Sequence, residues 1–391
     1  MSLEDFFKRL NLDESLAERT GFNPYYLRMT SGLEGEVSVN GRELIDLASN
    51  NYLGLADDSR VKRAAMNAIR DYGTSLCGTP IATGCLDMYQ ELAEKLSAFV
   101  GLEQTSIFPS CYQANNGLFA CLAGPEDLIL VDRLAHSSLL QGIKSSGCKI
   151  RPFLHNDLDH LERCLQRGIE YRQVFVVTES VFSTEGSIAS VKEIVHLCDK
   201  YQALPVIDDS HGIGVLGKYG KGILEEQGIS DYQGIYTASL GKALANSGGM
   251  ISGSKKLMDY LKYYCSHLVY STALPPAALA GTGAVLEIIN SEFPGIKKTM
   301  DSYQRQIYQA LLAAGFKAAD SATPINSIQT GSKENTFALA KAFFDQGILI
   351  TPFIEPSVPF NEGRVRLIAG ANLSQDSIKK VLDTIKRLGP L

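Results

Sequence analysis

Three short apolar runs, each broken off by polar residues at its carboxyl end, constrain this chain more than any other feature. VFVVTES (174–180) stops at Thr178 and Glu179, ALPVIDDSHG (203–212) turns acidic after Ile207, and GIYTASLGK (234–242) ends at Lys242. Continuous apolar strands of this kind are covered on both faces, the habit of parallel sheets. Helical stripes lie between them. Val191, Ile194, Val195 and Cys198 follow i, i+3, i+4, i+7, and Ser190 with Glu193 predicts a capping box at that helix start. Leu92, Leu96, Phe99 and Val100 form a second stripe, closed by Gly101. The alternation predicts an α/β fold with a mainly parallel central sheet. Ligands of such sheets gather beyond the carboxyl ends of the strands, and Asp208 and Lys242 both fall there.

The pattern changes after LPPAALA (274–280). A long helical stretch follows, then TPINSIQTG (323–331), a helix near 334–346, GILITPFI (347–354) and GRVRLIAG (363–370), which read as a smaller α+β domain. The first fifty residues hold a helix and a hairpin, VSVNGREL, with an Asn-Gly turn. The expected division is an N-terminal arm and hairpin over 1–50, a large domain over 51–275 and a small C-terminal domain over 276–391.

Composition removes several function classes. The net charge is −6 and no basic run or basic-aromatic cluster occurs, which argues against nucleic acid as a partner. The N-terminus lacks the apolar centre of a signal peptide, and no apolar run is long enough to span a membrane. Eight cysteines are scattered without CxxC spacing and read as reduced thiols, so a cytoplasmic location without a zinc site is expected.

Lys242 stands among small residues, with Ser239 and Gly241 before it and Ser247, Gly248 and Gly249 behind. It is either a lysine at a helix start or an amine that something approaches closely and that must lose its proton. The acidic pair Asp208 and Asp209, followed by His211, could cap a helix or hold a metal, but further converging ligands are missing. Pyridoxal phosphate fits better. It needs a carboxylate beside its pyridine nitrogen, which Asp208 could supply, with His211 at the phenolic oxygen. PSCYQANNG (109–117) opens a helix whose first N–H groups could take a phosphate, helped by the Ser239 hydroxyl. His136, in LAHSSLLQG, could stack on the ring, and Arg366, in GRVRLIAG, could grip a carboxylate. Each alone has an ordinary structural reading; their order along the chain carries the case.

That order, CY, AHSS, TESVFSTEG, DDSHGIGVLGKYGKG, TASLGKA, YSTALPP and RVRL, resembles the α-oxoamine synthases, fold-type I pyridoxal-phosphate acyltransferases. The resemblance runs from about Asn50 to Arg366. HNDLDHL, SVFSTEGSIA and HLVYSTALPPA are similar in wording to the 8-amino-7-oxononanoate synthases of biotin biosynthesis, with the 2-amino-3-ketobutyrate ligases nearly as close. Some features also resemble synthases of long-chain α-aminoketone signals. The resemblance implies that Lys242 carries the cofactor, that Asp208, His211 and His136 surround its ring, and that Ser183 lies beside it. It implies that Cys111, Tyr112 and Ser239 hold the phosphate, with Ser271 and Thr272 reaching it from a neighbouring subunit, hence a homodimer. Asn50 and Arg366 would hold an amino-acid carboxylate. The implied reaction joins a small amino acid to an acyl thioester, on CoA or a carrier protein, with loss of carbon dioxide. Another pyridoxal-phosphate reaction, such as transamination or elimination, or a binding protein without turnover, are the competing readings. Pro80, Tyr89 and Asn372 depart from the family pattern at places expected near the substrate end of the site.

Overall fold

The structure is a computed structural model and describes residues 2–9 and 14–389. The strands in chain order are β1 (Glu36–Val39), β2 (Arg42–Asp46), β3 (Gln104–Phe108), β4 (Leu128–Asp132), β5 (Lys149–Phe153), β6 (Val174–Glu179) and β7 (Leu204–Asp208). They continue with β8 (Ile235–Ser239), β9 (Gly249–Gly253), β10 (Ile325–Gly331), β11 (Ile348–Leu349), β12 (Thr351–Phe353) and β13 (Gly363–Ile368). Seven form one sheet in the order β3-β9-β8-β7-β6-β4-β5. Its pairs β8/β7, β7/β6, β6/β4 and β4/β5 are parallel, and β9 runs antiparallel to both neighbours.

The three apolar runs are β6, β7 and β8. Alternate residues feed opposite sides. Leu130, Val176 and Ile207 enter one buried cluster, whereas Ile129, Val177 and Val206 enter another. That two-sided burial is why these strands read as unbroken apolar stretches. Helices Asp87–Val100 and Val191–Tyr201 follow the predicted stripes, and Gly101 ends the first in a left-handed conformation. The predicted capping box is not made. Ser190 is the N-cap of the second helix, at φ −77° and ψ 68°, and its side chain makes no capping bond.

The hairpin β1/β2 forms with Asn40 and Gly41 both at positive φ, the geometry an Asn-Gly turn favours. Two short helices, Leu3–Lys8 and Glu14–Thr20, precede it, where one was expected. β2 pairs in parallel with β11, so the hairpin joins a three-stranded sheet with the C-terminal part. β10, β13 and β12 form a third sheet. The helix Pro276–Ala313 ties these regions together: Leu286, Ile289 and Phe293 pack on the large-sheet core, and Ile307 and Leu311 on the core of the smaller sheets. Among the described residues, no helix is long and apolar enough to cross a membrane.

Candidate active site

Parallel register aligns the polar ends of the central strands. Glu179 of β6 is opposite Asp208 of β7, and Asp208 is opposite Thr237 of β8. The helix Cys111–Leu122 starts against the same edge. Its N-cap, Ser110, accepts from the Gln113 N–H at 3.1 Å. Gly249 makes this approach possible, because a Cβ there would sit 2.3 Å from the backbone N and Cα of Cys111. Cys111, Tyr112, His136, Asp208, Ser239 and Lys242 line one cavity of about 330 Å³. Glu179 and Ser210 also line it.

Asp208 is 4% exposed and fully engaged by neutral donors. Its Oδ2 accepts from Asn115 Nδ2 at 2.7 Å and its Oδ1 from the Ser210 N–H at 3.0 Å. Asn115 also donates to Ser138 Oγ at 2.9 Å, and Ser138 Oγ lies 2.8 Å from His136 Nδ1. The Ser138 N–H donates to the same Nδ1, so Nδ1 is an acceptor and the proton of neutral His136 is on Nε2. The His136 N–H donates to Glu179 Oε1 at 2.6 Å. A continuous network thus fixes the acid, the imidazole and the helix start.

Lys242 follows β8 in a tight turn in which Ala245 N–H donates to the Lys242 carbonyl and Asn246 N–H to that of Leu240. Its Nζ lies 2.6 Å from Nε2 of His211, which is 4% exposed. Burial holds the Lys242 amine below its ordinary value, against the opposing charge of Asp208. Burial, with the Lys242 and Arg366 charges, holds His211 well below the usual imidazole range. Burial and the Asp208 charge push Glu179 well above the usual carboxyl range, and burial pushes the Cys111 thiol up. The site therefore pairs a weakened ammonium with neutral imidazoles.

Arg366 lies on β13, 5% exposed, with its guanidinium 4.9 Å from the Phe353 ring centroid. Nη1 donates to the Ser183 carbonyl at 2.8 Å, and Nε has no partner among the described residues. Ser183 lines a second cavity, about 390 Å³, which shares His136 as a wall. Asn50 is half-buried and its Oδ1 accepts from the Tyr52 hydroxyl at 3.4 Å. Ser271 accepts from Gln113 Nε2 at 3.2 Å and Thr272 is exposed; neither lines the cavity of its own chain.

The three departures lie on different elements. Tyr89 is buried, and its hydroxyl donates to the Ile107 carbonyl at 2.8 Å while accepting the Ile107 N–H, which makes it a lock on β3. Asn372 lies over Gly35 and Gly54 and lines a separate cavity with Glu34 and Ser377. Pro80 opens the turn Pro80–Gly84, beside Gly78, whose carbonyl accepts from Ala273 N–H. None of the three lines the Lys242 cavity.

Sequence reading missed Asn115, Ser138, Glu179 and Tyr52. Asn115 carried a signal, since it follows Cys111 by one helical turn, and so did Glu179, which ends an apolar run as Asp208 does. Ser138 and Tyr52 carried none, because the partners that tie them to the site, Asn115 and His211, are 23 and 159 residues away.

Residues 42–385 match the family described as aminotransferase class I and II. The chain belongs to this family. A serine palmitoyltransferase of Sphingobacterium spiritivorum is 33% identical over 99% of this chain and 96% of that protein. An 8-amino-7-oxononanoate synthase of Geotalea daltonii is 35% identical over 91% and 92%. In three dimensions, the serine palmitoyltransferase of Sphingomonas wittichii superposes with a TM-score of 0.93 at 25% identity, covering 99% of this chain and 98% of the other. This member of the family is an α-oxoamine synthase, a pyridoxal-phosphate-dependent acyltransferase with the fold-type I architecture. Pyridoxal phosphate is its cofactor. The donor set fits that group. A buried carboxylate hydrogen-bonded by neutral donors, an amine of lowered proton affinity and a helix start meet in one cavity, and Gly249 leaves the helix start room.

Proposed function

We propose that this enzyme condenses a small amino acid with an acyl thioester, releasing carbon dioxide and free thiol to give an α-aminoketone, in the manner of an 8-amino-7-oxononanoate synthase. The observation that carries this reading is Arg366. It is a buried guanidinium with no carboxylate partner among the described residues, electrostatically coupled to both Lys242 and His211. Buried charges are ordinarily paired, and an amino-acid carboxylate is the partner that this site lacks.

When bound, pyridoxal phosphate supplies an electron sink next to the substrate's amino group. Asp208 would hold its ring nitrogen, and Cys111, Tyr112 and Ser239 its phosphate, with Ser271 and Thr272 contributed by a partner subunit of a homodimer. Lys242 would anchor the group; later, its amine, disposed by burial to be proton-free, takes the proton from the substrate α-carbon at Nζ. His136, which lines both cavities, would stack on the ring, and His211 would hold the phenolic oxygen. Arg366, with Asn50, grips the substrate carboxylate, and Ser183 lies next to that contact through its carbonyl. The residues 51–275 then carry the chemistry, and 276–391 bring Arg366 to it.

A longer acyl donor is the second reading. It is favoured by the apolar part of the second cavity, where Leu134, Leu140, Phe353 and Val358 lie beyond His136, and by the serine palmitoyltransferase relative. One assay tests both. The cofactor-loaded protein is incubated with glycine, alanine or serine and acyl-CoAs of graded length, and free thiol and carbon dioxide are measured. Release of both, dependent on the amino acid, is expected; the preferred chain length separates the two readings. No release with any pair would overturn the proposal.

A further inference from the structure

Behind Lys242 lies a chain of polar groups that leads to Tyr52, a buried residue to which the proposed reaction gives no part. Lys242 Nζ is 2.6 Å from His211 Nε2, and His211 Nδ1 is 2.6 Å from the hydroxyl of Tyr52, a residue 0% exposed. The same hydroxyl lies 3.4 Å from Asn50 Oδ1. An ammonium can only donate, so while Lys242 holds its proton Nε2 must accept. The imidazole proton is then on Nδ1 and is donated to the Tyr52 oxygen, whose own hydrogen turns to Asn50. When the amine is proton-free it can accept. The imidazole proton can then sit on Nε2, and the Tyr52 hydroxyl turns to donate to Nδ1. The site gives up one proton in total, and the imidazole and the phenol keep one each throughout.

We propose that Tyr52 is a positioning residue whose hydroxyl rotor lets His211 offer Lys242 either an acceptor or a donor, so that the amine can change protonation with no polar atom of His211 left unpaired. A buried donor or acceptor left unsatisfied is costly, and no other group on His211 Nδ1 is available to pair it among the described residues. The charged and titratable groups that act on this pair are Asp208, Glu179 and Cys111 around Lys242, His136 near His211, and Arg366 near both. They bias where the amine titrates; only Tyr52 touches Nδ1. The inference rests on the proposed role of Lys242 as base, yet its main readout does not require turnover.

The test uses the full chain, labelled with ¹⁵N-histidine, with the cofactor bound and after its removal. It has six histidines, and His211→Asn assigns the one of interest. In the cofactor-free parent, the His211 proton is expected on Nδ1 at low pH and on Nε2 once the amine has lost its proton. In Tyr52→Phe, the change to Nε2 is expected at lower pH than in the parent, because the Nδ1 proton that the ammonium requires is left unpaired there. With cofactor and substrates, Tyr52→Phe should lose about tenfold in kcat with KM for the amino acid little changed. Identical tautomer behaviour in parent and variant overturns the proposal, even if condensation proceeds. A tautomer difference without condensation upholds the Tyr52 role and removes the proposed reaction instead. Should Tyr52→Phe fail to fold, the parent alone decides: an imidazolium protonated on both nitrogens at neutral pH overturns the rotor.

Discussion

A guanidinium that is 5% exposed and has no carboxylate partner among the described residues is expensive for a fold to keep. Arg366 is held by one carbonyl and one aromatic face, and it depresses the proton affinity of the groups around it. Arg366→Ala should therefore leave cofactor binding intact and raise the KM for the amino acid roughly tenfold to 100-fold, the loss expected for a charge-assisted contact. Initial rates across an amino-acid titration check this. Arg366→Lys should recover only part, since a lysine cannot make the paired contact. Asp209, next to the cofactor-site acid, behaves in another way. It is fully buried, accepts from Tyr236 Oη at 2.7 Å and from the Ile223 N–H at 2.9 Å, and burial raises it from 3.8 to about 7. An acid so raised stabilises the fold fully while protonated, below about pH 4, and that contribution drains away as the pH climbs through 7. Asp209→Asn should match the parent near pH 4 and gain on it between pH 4 and 7. Urea midpoints at stepped pH values measure the gap; a constant gap would mean that Asp209 does not titrate with folding.

At the scale of elements, the turn 183–187 is where the large sheet meets β13. Ser183 takes Arg366, and Glu185 pairs with Arg364 at 2.9 Å; the two arginines are two residues apart on one strand and so share a face. Behind the turn, His155 bridges Asp132 at 3.1 Å and Glu185 at 2.9 Å. Burial alone would lower His155, but its bonds to the two carboxylates prevail and raise it to about 9. A histidine raised in this way stabilises fully below its ordinary 6.5, and the contribution disappears as pH rises from there to about 9. The stability difference between the parent and His155→Gln should shrink across that window, as thermal unfolding at stepped pH would record. His155 was visible in the sequence only as a letter in HNDLDHL, and nothing local marks its partners at 132 and 185. Lys242 and Asp208 were legible because strand ends are legible: an apolar run that stops declares where the sheet edge lies. Glu179 obeyed the same rule and was passed over, because only the β6/β7 register reveals that it adjoins Asp208. Ser190 had the letters of a capping box without the backbone angles for it, and Tyr89 took a packing role that its place in a motif did not disclose. Local pattern thus gives the elements and their ends, while register and packing choose among the side chains found there.

For the whole molecule, the question is whether one chain makes a complete site. Within a single copy, the phosphate end of the cavity offers a helix start and Ser239, and it leaves Ser271 and Thr272 outside. Those two residues follow Tyr270, an aromatic ring 84% exposed, and Tyr263 and Tyr264 nearby are also largely exposed. Exposed aromatic surface of this kind is typical of a face that another subunit covers. If the partner's Ser271 and Thr272 complete the site, two defective chains can repair each other. Lys242→Ala lacks the amine but keeps its Thr272 for the neighbour, whereas Thr272→Ala, made together with Ser271→Ala, keeps its amine but fails its neighbour. Each variant alone should release little thiol from an acyl-CoA. A mixture, unfolded together or co-expressed to allow exchange, forms mixed pairs in which one site has both Lys242 and an intact partner edge. Thiol release should then rise well above the sum of the two variants and follow the mixing ratio, with its maximum near equal amounts. Activity that merely adds, at every ratio, would mean that each chain supplies its own phosphate contacts and that the exposed tyrosines face something other than a second copy.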